Sequence, residues 1–241
     1  MFLKVQHIEK SFGREQVVKD LTFSLDAKKT LSILGKSGCG KTTMLKTIGG
    51  LVAPDSGSIS LNGEDITHIR PEKRNIVYLY QEDLLFPHLN AFENIAFGLR
   101  LKKIPNNSVN EKVTHMLRSL ELESQSLKMP NQLSGGQRQR VSFGRAIITN
   151  PSLLLLDEPF GSLDAGTRHR MQGLFQNLSK EFDITSLFVT HDLKEAVLMG
   201  DEIGFMQAGS LKVYTDKEEF IADPATGVKD EIKFWGGLAG N

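Results

Sequence analysis

The sequence predicts an α/β fold with a mainly parallel sheet, on three observations. Short apolar runs alternate with helical periods in the last third of the chain, and a glycine-rich loop near residue 35 joins an apolar run to a helical period. Apolar residues make up 39% of 241 residues, enough for a sizeable core, which excludes a disordered, collagen-like or disulfide-scaffold chain. This length predicts one large domain, or one domain with a small appendage.

The first third of the chain predicts strands joined by turns, with one helix. Apolar and β-branched runs bounded by turn residues favour strands, and Asn62-Gly63 is typical of a hairpin turn. A helical period begins at Lys41, directly after the glycine-rich loop. The expected elements are strands over 2–8, 17–25, 30–34, 59–61 and 76–80 and a helix over 41–50.

The middle of the chain, about residues 84–150, is mostly helical by period. Pro87, Pro105 and Pro130 interrupt the pattern, since proline breaks a helix interior. No flexible linker flanks this segment, so it is predicted to be a helical subdomain inserted into one domain. The expected helices cover 91–99, 109–120 and 137–148.

The last third alternates strand and helix, the order that predicts parallel strands with helical crossovers. The expected strands are 153–156, 185–189 and 202–206, and the expected helices are 164–181 and 193–199.

Charge and cysteine content limit the function classes. Lys plus Arg and Asp plus Glu both number 29, so no excess of positive charge favours nucleic acid, and no nucleic-acid partner is expected. Cys39 is the single cysteine and the first ten residues lack an apolar signal core, which predicts a cytosolic location. No apolar run approaches the roughly 18 residues that span a bilayer.

Residues 35–42, Gly-Lys-Ser-Gly-Cys-Gly-Lys-Thr, fit the phosphate-loop pattern G-x-x-x-x-G-K-[ST] between a strand and a helix. The glycines let backbone N–H groups converge on an anion, at the positive end of the new helix. We expect Lys41 to reach the outer phosphates of a nucleotide and the Thr42 hydroxyl to hold Mg²⁺. A glycine-rich turn with incidental Lys and Thr is the alternative. The expected nucleotide ligands are Gly35, Lys36, Ser37, Gly38, Cys39, Gly40, Lys41, Thr42 and Thr43.

Four polar side chains follow predicted strands, where ligands of open α/β sheets bind. We expect Asp157 near the metal ion and Glu158 as the carboxylate that orients or deprotonates a water in line with the γ-phosphate. His191 could touch the γ-phosphate or hold that water, and Gln81 could accept from a metal-bound water. The alternative is that His191 and Gln81 are ordinary polar residues without a role at the site.

Leu133-Ser134-Gly135-Gly136-Gln137 resembles the signature motif of the ATP-binding cassette (ABC) ATPases. The phosphate loop, Gln81, the acidic strand end, Ser162-Leu163-Asp164 and His191 follow the order of that family, so the resemblance covers residues 1 to about 215. It implies a P-loop NTPase (RecA-like) core with an antiparallel β subdomain and an inserted α-helical subdomain. The expected boundaries are a core of about 1–83 and 151–222, a helical subdomain of about 84–150 and a short extension of about 223–241, without a regulatory domain.

The resemblance also implies a dimer. In this family two cassettes pack head to tail, and each ATP lies between the phosphate loop of one and the signature motif of the other. Ser134, Gly135, Gly136 and Gln137 would therefore bind ATP across the interface, and the motif would also cap the helix that follows it.

Two further residues take roles from the same resemblance. Asp164 would line the dimer interface, and Phe12 would stack on adenine. A place in the core is the alternative for Phe12.

Residues 71–95 and 158–165 are similar to bacterial importers of polyamines, sulfate, iron(III) and sugars. This implies integral membrane permease subunits and a solute-binding protein as partners, and a location at the cytoplasmic face of the membrane. Phe86, Pro87, Phe92 and Ile95 would contact a permease helix or belong to the core of the helical subdomain. An exporter, a lipid or lipoprotein extractor, and a non-transport ABC ATPase of DNA repair or translation are the alternative functions.

Overall fold

A computed structural model describes residues 1–229, which form an α/β fold with two sheets. The part of the predicted C-terminal extension over 230–241, with Trp235, lies outside the described residues. The strands and helices, in chain order, are β1 (Leu3–Phe12), β2 (Glu15–Leu25), β3 (Thr30–Leu34), α1 (Lys41–Ile48), β4 (Ser56–Leu61), β5 (Glu64–Asp65), β6 (Ile76–Leu79), α2 (Ala91–Leu101), α3 (Asn106–Ser119), α4 (Gly135–Ile147), β7 (Leu153–Asp157), α5 (Ala165–Glu181), β8 (Ser186–Thr190), α6 (Leu193–Met199), β9 (Glu202–Gln207), β10 (Ser210–Tyr214) and α7 (Lys217–Ala222).

The chain divides into two compact units. The first comprises residues 1–70 and the described residues from Leu187 onward, and the second comprises residues 71–186. The organisation expected from the sequence, with a helical subdomain over about 84–150, stays a prediction. Within residues 1–229, no helix combines the length and the apolar character that crossing a membrane requires.

The first unit contains an antiparallel sheet in the order β2-β1-β4-β5. Leu3 pairs with Leu25 on β2 and with Leu61 on β4, and the inward-facing residues Leu3, Val5 and Ile8 are buried. Register shifts interrupt β1, where His7 has a positive φ of 53°. This sheet agrees with the antiparallel β part of the predicted fold class.

The same unit holds β10, β9, β3 and β8, which are neighbours in that order in the second sheet. β3 pairs in parallel with β9, and every residue of β3 and β8 is buried. Burial on both faces explains why these strands are continuous apolar runs in the sequence. Behind them, Tyr214 packs edge-on against Phe220, which anchors α7 to a core that also contains Ile203.

The second unit is built around the parallel pair β6 and β7, with α2 to α5 in the same unit. Ile76 pairs with Leu153 and Leu79 with Leu156, so the two strands end side by side. Phe143 of α4 packs against Phe160 and Phe175, with ring centroids 5.8 and 5.6 Å away. All three rings are buried, and they fix α4 next to the turn that follows β7.

The close packing of α4 against α2 gives a stability prediction. A Cβ added at Gly144 would lie 2.5 Å from Leu120 Cδ1 and 3.2 Å from Ile95 Cδ1, whereas one added at Gly173 of α5 would meet nothing within 4 Å. We expect Gly144→Ala to lower the free energy of unfolding by about 1–3 kcal/mol through overpacking. Gly173→Ala is the matched control and should raise it by about 0.5–1 kcal/mol. Urea titration of both variants measures the difference, and a stabilised Gly144→Ala would contradict the packing described.

Candidate functional site

The phosphate loop connects the buried strand β3 to the first residue of α1, Lys41. Gly40, the residue before the helix, has a φ of 108°, and a Cβ there would lie 2.7 Å from the carbonyl oxygen of Val17. Gly35 approaches the carbonyl oxygen of Met206 so closely that a Cβ would collide with it. Both glycines are therefore needed for the loop to fold against its neighbours.

Lys41 lies inside the loop rather than in solvent. Its side chain is only 5% exposed, and Nζ donates to the carbonyl oxygens of Gly35 at 2.6 Å and Lys36 at 3.1 Å. The loop thus encloses a positive charge, beside a helix N-terminus whose first N–H groups have no acceptor within the helix. This is the environment that a phosphate group requires.

A cavity of about 820 Å³ borders the phosphate loop within the first unit. Its lining includes Gly35, Lys36, Ser37 and Cys39 of the loop, and also His191. The structure therefore brings His191 to the same cavity as the loop, although more than 150 positions separate them in the chain.

The turn that carries His191 is fixed by its neighbours. Thr190 ends β8, donates its hydroxyl to Glu195 Oε2 at 2.6 Å and accepts from the Asp192 N–H at 3.0 Å. Asp192 then caps α6 by accepting from the N–H groups of Lys194 and Glu195. His191 itself is exposed between these fixed residues, so its imidazole can reach a ligand.

Phe12 ends β1 with 52% of its surface exposed, which excludes the core alternative. Lys10 Nζ lies 5.5 Å from the centre of the Phe12 ring and forms a 2.7 Å ion pair with Asp55. The Ser11 N–H also donates to Asp55, at 2.6 Å. Asp55 thus anchors the end of β1, where about half of the Phe12 surface is exposed.

The acidic strand end lies in the second unit. β7 is buried up to Leu156, and Asp157, at its end, accepts a hydrogen bond at 2.7 Å from the Tyr78 hydroxyl. Glu158 follows with a positive φ of 48° directly before Pro159, a conformation that a non-glycine residue rarely adopts.

Two hydrogen bonds hold the turn after Glu158. The Gly161 N–H donates to the Glu158 carbonyl oxygen at 3.1 Å, and the buried Gln139 Nε2 donates to the Pro159 carbonyl oxygen. Gln81 is exposed, and its Nε2 lies 3.1 Å from where a Cβ on Gly161 would be. The second unit therefore places Gln81 beside the turn that begins with Glu158.

The signature segment forms the N-terminus of α4. Ser134 Oγ accepts from the Gln137 N–H at 3.3 Å, and Gln137 Oε1 accepts from the Ser134 N–H at 2.9 Å, a reciprocal capping box. A cavity of about 430 Å³ is lined by residues 134–137 together with Asp164 and two arginines, Arg140 and Arg170. Glu121, which pairs with Arg140 at 2.9 Å, also lines this cavity, so side chains of both charges surround the N-terminus of α4.

Asp164 caps α5, and its carboxylate accepts from the Thr167 N–H at 3.0 Å. Hydrogen bonding from Thr167 lowers the pKa of Asp164, so this side chain of the cavity wall is negatively charged at neutral pH. The structure thus places Asp164 and the signature segment at one cavity, and its place at a dimer interface stays a prediction.

The capping role of Ser134 can be tested without nucleotide. Ser134→Ala removes the acceptor for the Gln137 N–H, and we expect the free energy of unfolding to fall by about 1 kcal/mol. Ser124→Ala, on an exposed turn of the same unit, is the control and should change it by less than about 0.5 kcal/mol. Equal stability of both variants in thermal and urea unfolding would rule out the cap as a stabilising contact.

Sequence reasoning missed two residues near these sites, Tyr78 and Gln139. Tyr78 lies inside a predicted strand, where an aromatic residue indicates only packing. Gln139 lies on a predicted amphipathic helix. A glutamine on the buried face of that helix is the one sequence signal that could have identified it.

Comparison with known proteins gives concordant matches. A family model described as ABC transporter matches residues 18–161. The spermidine/putrescine import ATP-binding protein PotA of Haemophilus influenzae is 42% identical over 223 residues, which are 92% of this chain and 60% of that protein. The molybdate/tungstate import ATP-binding protein WtpC of Thermococcus kodakarensis is 43% identical over 98% of this chain and 71% of its own length.

A solved structure shows the same fold. The ATP-binding cassette MJ0796, in a dimeric post-hydrolysis state bound to ADP and phosphate, is 30% identical with a TM-score of 0.76 and covers 88% of this chain and 97% of its own. The chain spans about 60% of the length of PotA. The match of the family model over most of the motif-bearing sequence confirms the resemblance: this chain belongs to the ABC transporter family.

Proposed function

We propose that this chain binds and hydrolyses ATP to energise the import of a solute across a bacterial membrane. The observation that carries this proposal is Lys41, a buried cation enclosed by its own glycine-rich loop at a helix N-terminus. Only a group with several negative charges, such as a nucleotide triphosphate, uses such a site fully. The names of the relatives, import ATP-binding proteins for polyamines and oxyanions, support ATP as the nucleotide and import as the purpose.

The side chains proposed to line the metal site are chemically suited to Mg²⁺. Thr42, Gln81 and Asp157 offer only hydroxyl, amide and carboxylate oxygens, the hard ligands that this ion prefers, and would hold it. Among residues 1–229, no cluster of three or more His, Cys, Asp and Glu side chains could hold a metal ion by itself. Mg²⁺ does not require such a cluster, because water and phosphate oxygens can complete its coordination shell. When bound, Mg²⁺ would neutralise charge on the outer phosphates.

The remaining chemistry falls to side chains of this chain. Lys41 and the N–H groups of the loop would hold the β- and γ-phosphates. Glu158 would accept a proton from the water that attacks the γ-phosphorus, while the bond to the bridging oxygen breaks and ADP and phosphate form. His191, which lines the loop cavity, would orient that water or the γ-phosphate.

Dimerisation would complete each site. Ser134 and the N–H groups at the start of α4 would form a second anion site on the same chain, and MJ0796 is a dimer with bound ADP and phosphate. We propose that Ser134 of a second copy contacts the γ-phosphate held by Lys41, with Asp164 lining the interface and Phe12 stacking on adenine. ATP then closes the dimer, and loss of the γ-phosphate opens it.

Permease subunits are the proposed membrane partners. Phe86 and Phe92 are half-buried and Pro87 is exposed, next to Leu84, which is 56% exposed. Ile95 is fully buried, so it belongs to the core of the second unit and not to a docking surface. Arg145 lies 5.0 Å from the Phe86 ring centre and donates to the Leu84 carbonyl oxygen at 3.0 Å, which holds this apolar segment in place.

This assembly would place the chain at the cytoplasmic face of the membrane, with a solute-binding protein delivering the solute. The test is to purify the complex from membranes under mild detergent, identify its subunits and measure ATP hydrolysis with candidate solute-binding proteins. Co-purified permease subunits and stimulated hydrolysis support the proposal. Association with ribosomes or DNA and no membrane partner would overturn it.

A further inference from the structure

Tyr78 connects two strands that end at the proposed metal site. It lies on β6 opposite Leu155 of the parallel strand β7, and its side chain reaches two residues further, to Asp157. The hydroxyl donates to Asp157 Oδ2 at 2.7 Å, a short hydrogen bond to a charged acceptor.

The tyrosine itself has little freedom. Its side chain is half-buried, and its ring lies against the ring of Tyr80, with centroids 4.6 Å apart. A tyrosine hydroxyl carries its proton at neutral pH, so it can donate to the carboxylate. The carboxylate therefore faces a fixed, neutral donor.

We propose that Tyr78 is a positioning residue that fixes the orientation of the Asp157 carboxylate for the Mg²⁺ of bound nucleotide. This inference rests on the proposed function, in which Asp157 holds that ion. Hydrogen-bond partners of ligating carboxylates fix the ligand in place, and their loss costs about 10–100-fold in metal affinity or activity. The hydroxyl of Tyr78 is such a partner, while its ring serves packing.

The two roles of Tyr78 are separable by single substitutions. Tyr78→Phe keeps the ring and removes only the donor to Asp157. Tyr80→Phe is the matched control: it removes the hydroxyl of an exposed tyrosine two residues along the chain and keeps the ring that lies against Tyr78.

The experiment titrates the full chain with Mn²⁺ as a paramagnetic substitute for Mg²⁺, with and without ADP, and measures binding by electron paramagnetic resonance. We expect the nucleotide-dependent Mn²⁺ affinity to fall by about 10-fold in Tyr78→Phe and by less than about twofold in Tyr80→Phe. ADP affinity in excess chelator should be the same in both variants and in the unaltered chain, because no metal ion is then involved.

Each other outcome has a distinct meaning. Equal Mn²⁺ affinity of Tyr78→Phe and the unaltered chain would overturn the inference and leave the proposed function in place. An equal loss of ADP affinity with and without metal would also overturn it, since the hydroxyl would then support the fold rather than the ion. An unaltered chain that shows no ADP-dependent Mn²⁺ binding would overturn the proposed function and the inference together.

Discussion

Glu158→Gln is expected to bind ATP normally, to accumulate as a closed dimer and to hydrolyse ATP at least about 100-fold more slowly than the unaltered chain. Glutamine keeps the size of the side chain and places no new demand on the left-handed backbone at this position, where φ is 48°. It cannot accept a proton from water, so only the chemical step is affected. Phosphate release, equilibrium ATP binding and size-exclusion chromatography with ATP measure the three expectations.

Glu72→Gln provides the control, because Glu72 is an exposed glutamate on a short 3₁₀ turn of the same unit. Its turnover should equal that of the unaltered chain. Near-normal hydrolysis by Glu158→Gln would remove Glu158 from the catalytic role, and loss of ATP binding would indicate damage to the turn instead.

Lys41→Ala is expected to weaken ATP binding on the order of 100-fold, about 3 kcal/mol. The ammonium group is buried within the loop, where a charge-assisted hydrogen bond to phosphate would be shielded from water. The variant also loses the two hydrogen bonds from Nζ to the carbonyl oxygens of Gly35 and Lys36. Titration with a fluorescent ATP analogue measures the affinity, and ADP should lose less because it lacks the γ-phosphate.

Lys46→Ala is the matched control for Lys41→Ala, since Lys46 lies on the last turn of the same helix. ATP affinity should change by less than about twofold, because Lys46 lies outside the phosphate loop. Thermal unfolding of both variants checks that α1 remains folded. Unchanged ATP affinity in a folded Lys41→Ala variant would mean that the loop is not the phosphate site.

The sequence predicted most strands and helices because burial imposes a period on them. β3 and β7 are buried runs, and their ends lie within one residue of the expected positions. β10 and α7 were missed. They are five and six residues long, too short for a period to stand out, although the turn at Ala208 and Gly209 and the capping residue Asp216 mark where they begin.

The site could be predicted only where one short segment carries the chemistry. The phosphate loop and the signature segment are such segments. The hydrogen bond between Tyr78 and Asp157 joins residues 79 positions apart, and that between Gln139 and Pro159 joins residues 20 apart, so no local pattern indicates either. The role of Ile95 was also not predictable from local sequence. An apolar residue at a helical period can pack into the core of its own chain or contact a partner protein, and the period does not distinguish the two.

The positive φ of Glu158 sets the stability of the chain against the catalytic role proposed for this residue. A left-handed backbone in a non-glycine residue costs about 1–3 kcal/mol, and the proline that follows makes relaxation harder. Glycine would relieve that cost and remove the proton acceptor, so selection for a more stable chain alone would discard the carboxylate. On the proposed role of Glu158, Glu158→Gly would be more stable and inactive, so stabilising libraries of this protein should be screened for turnover.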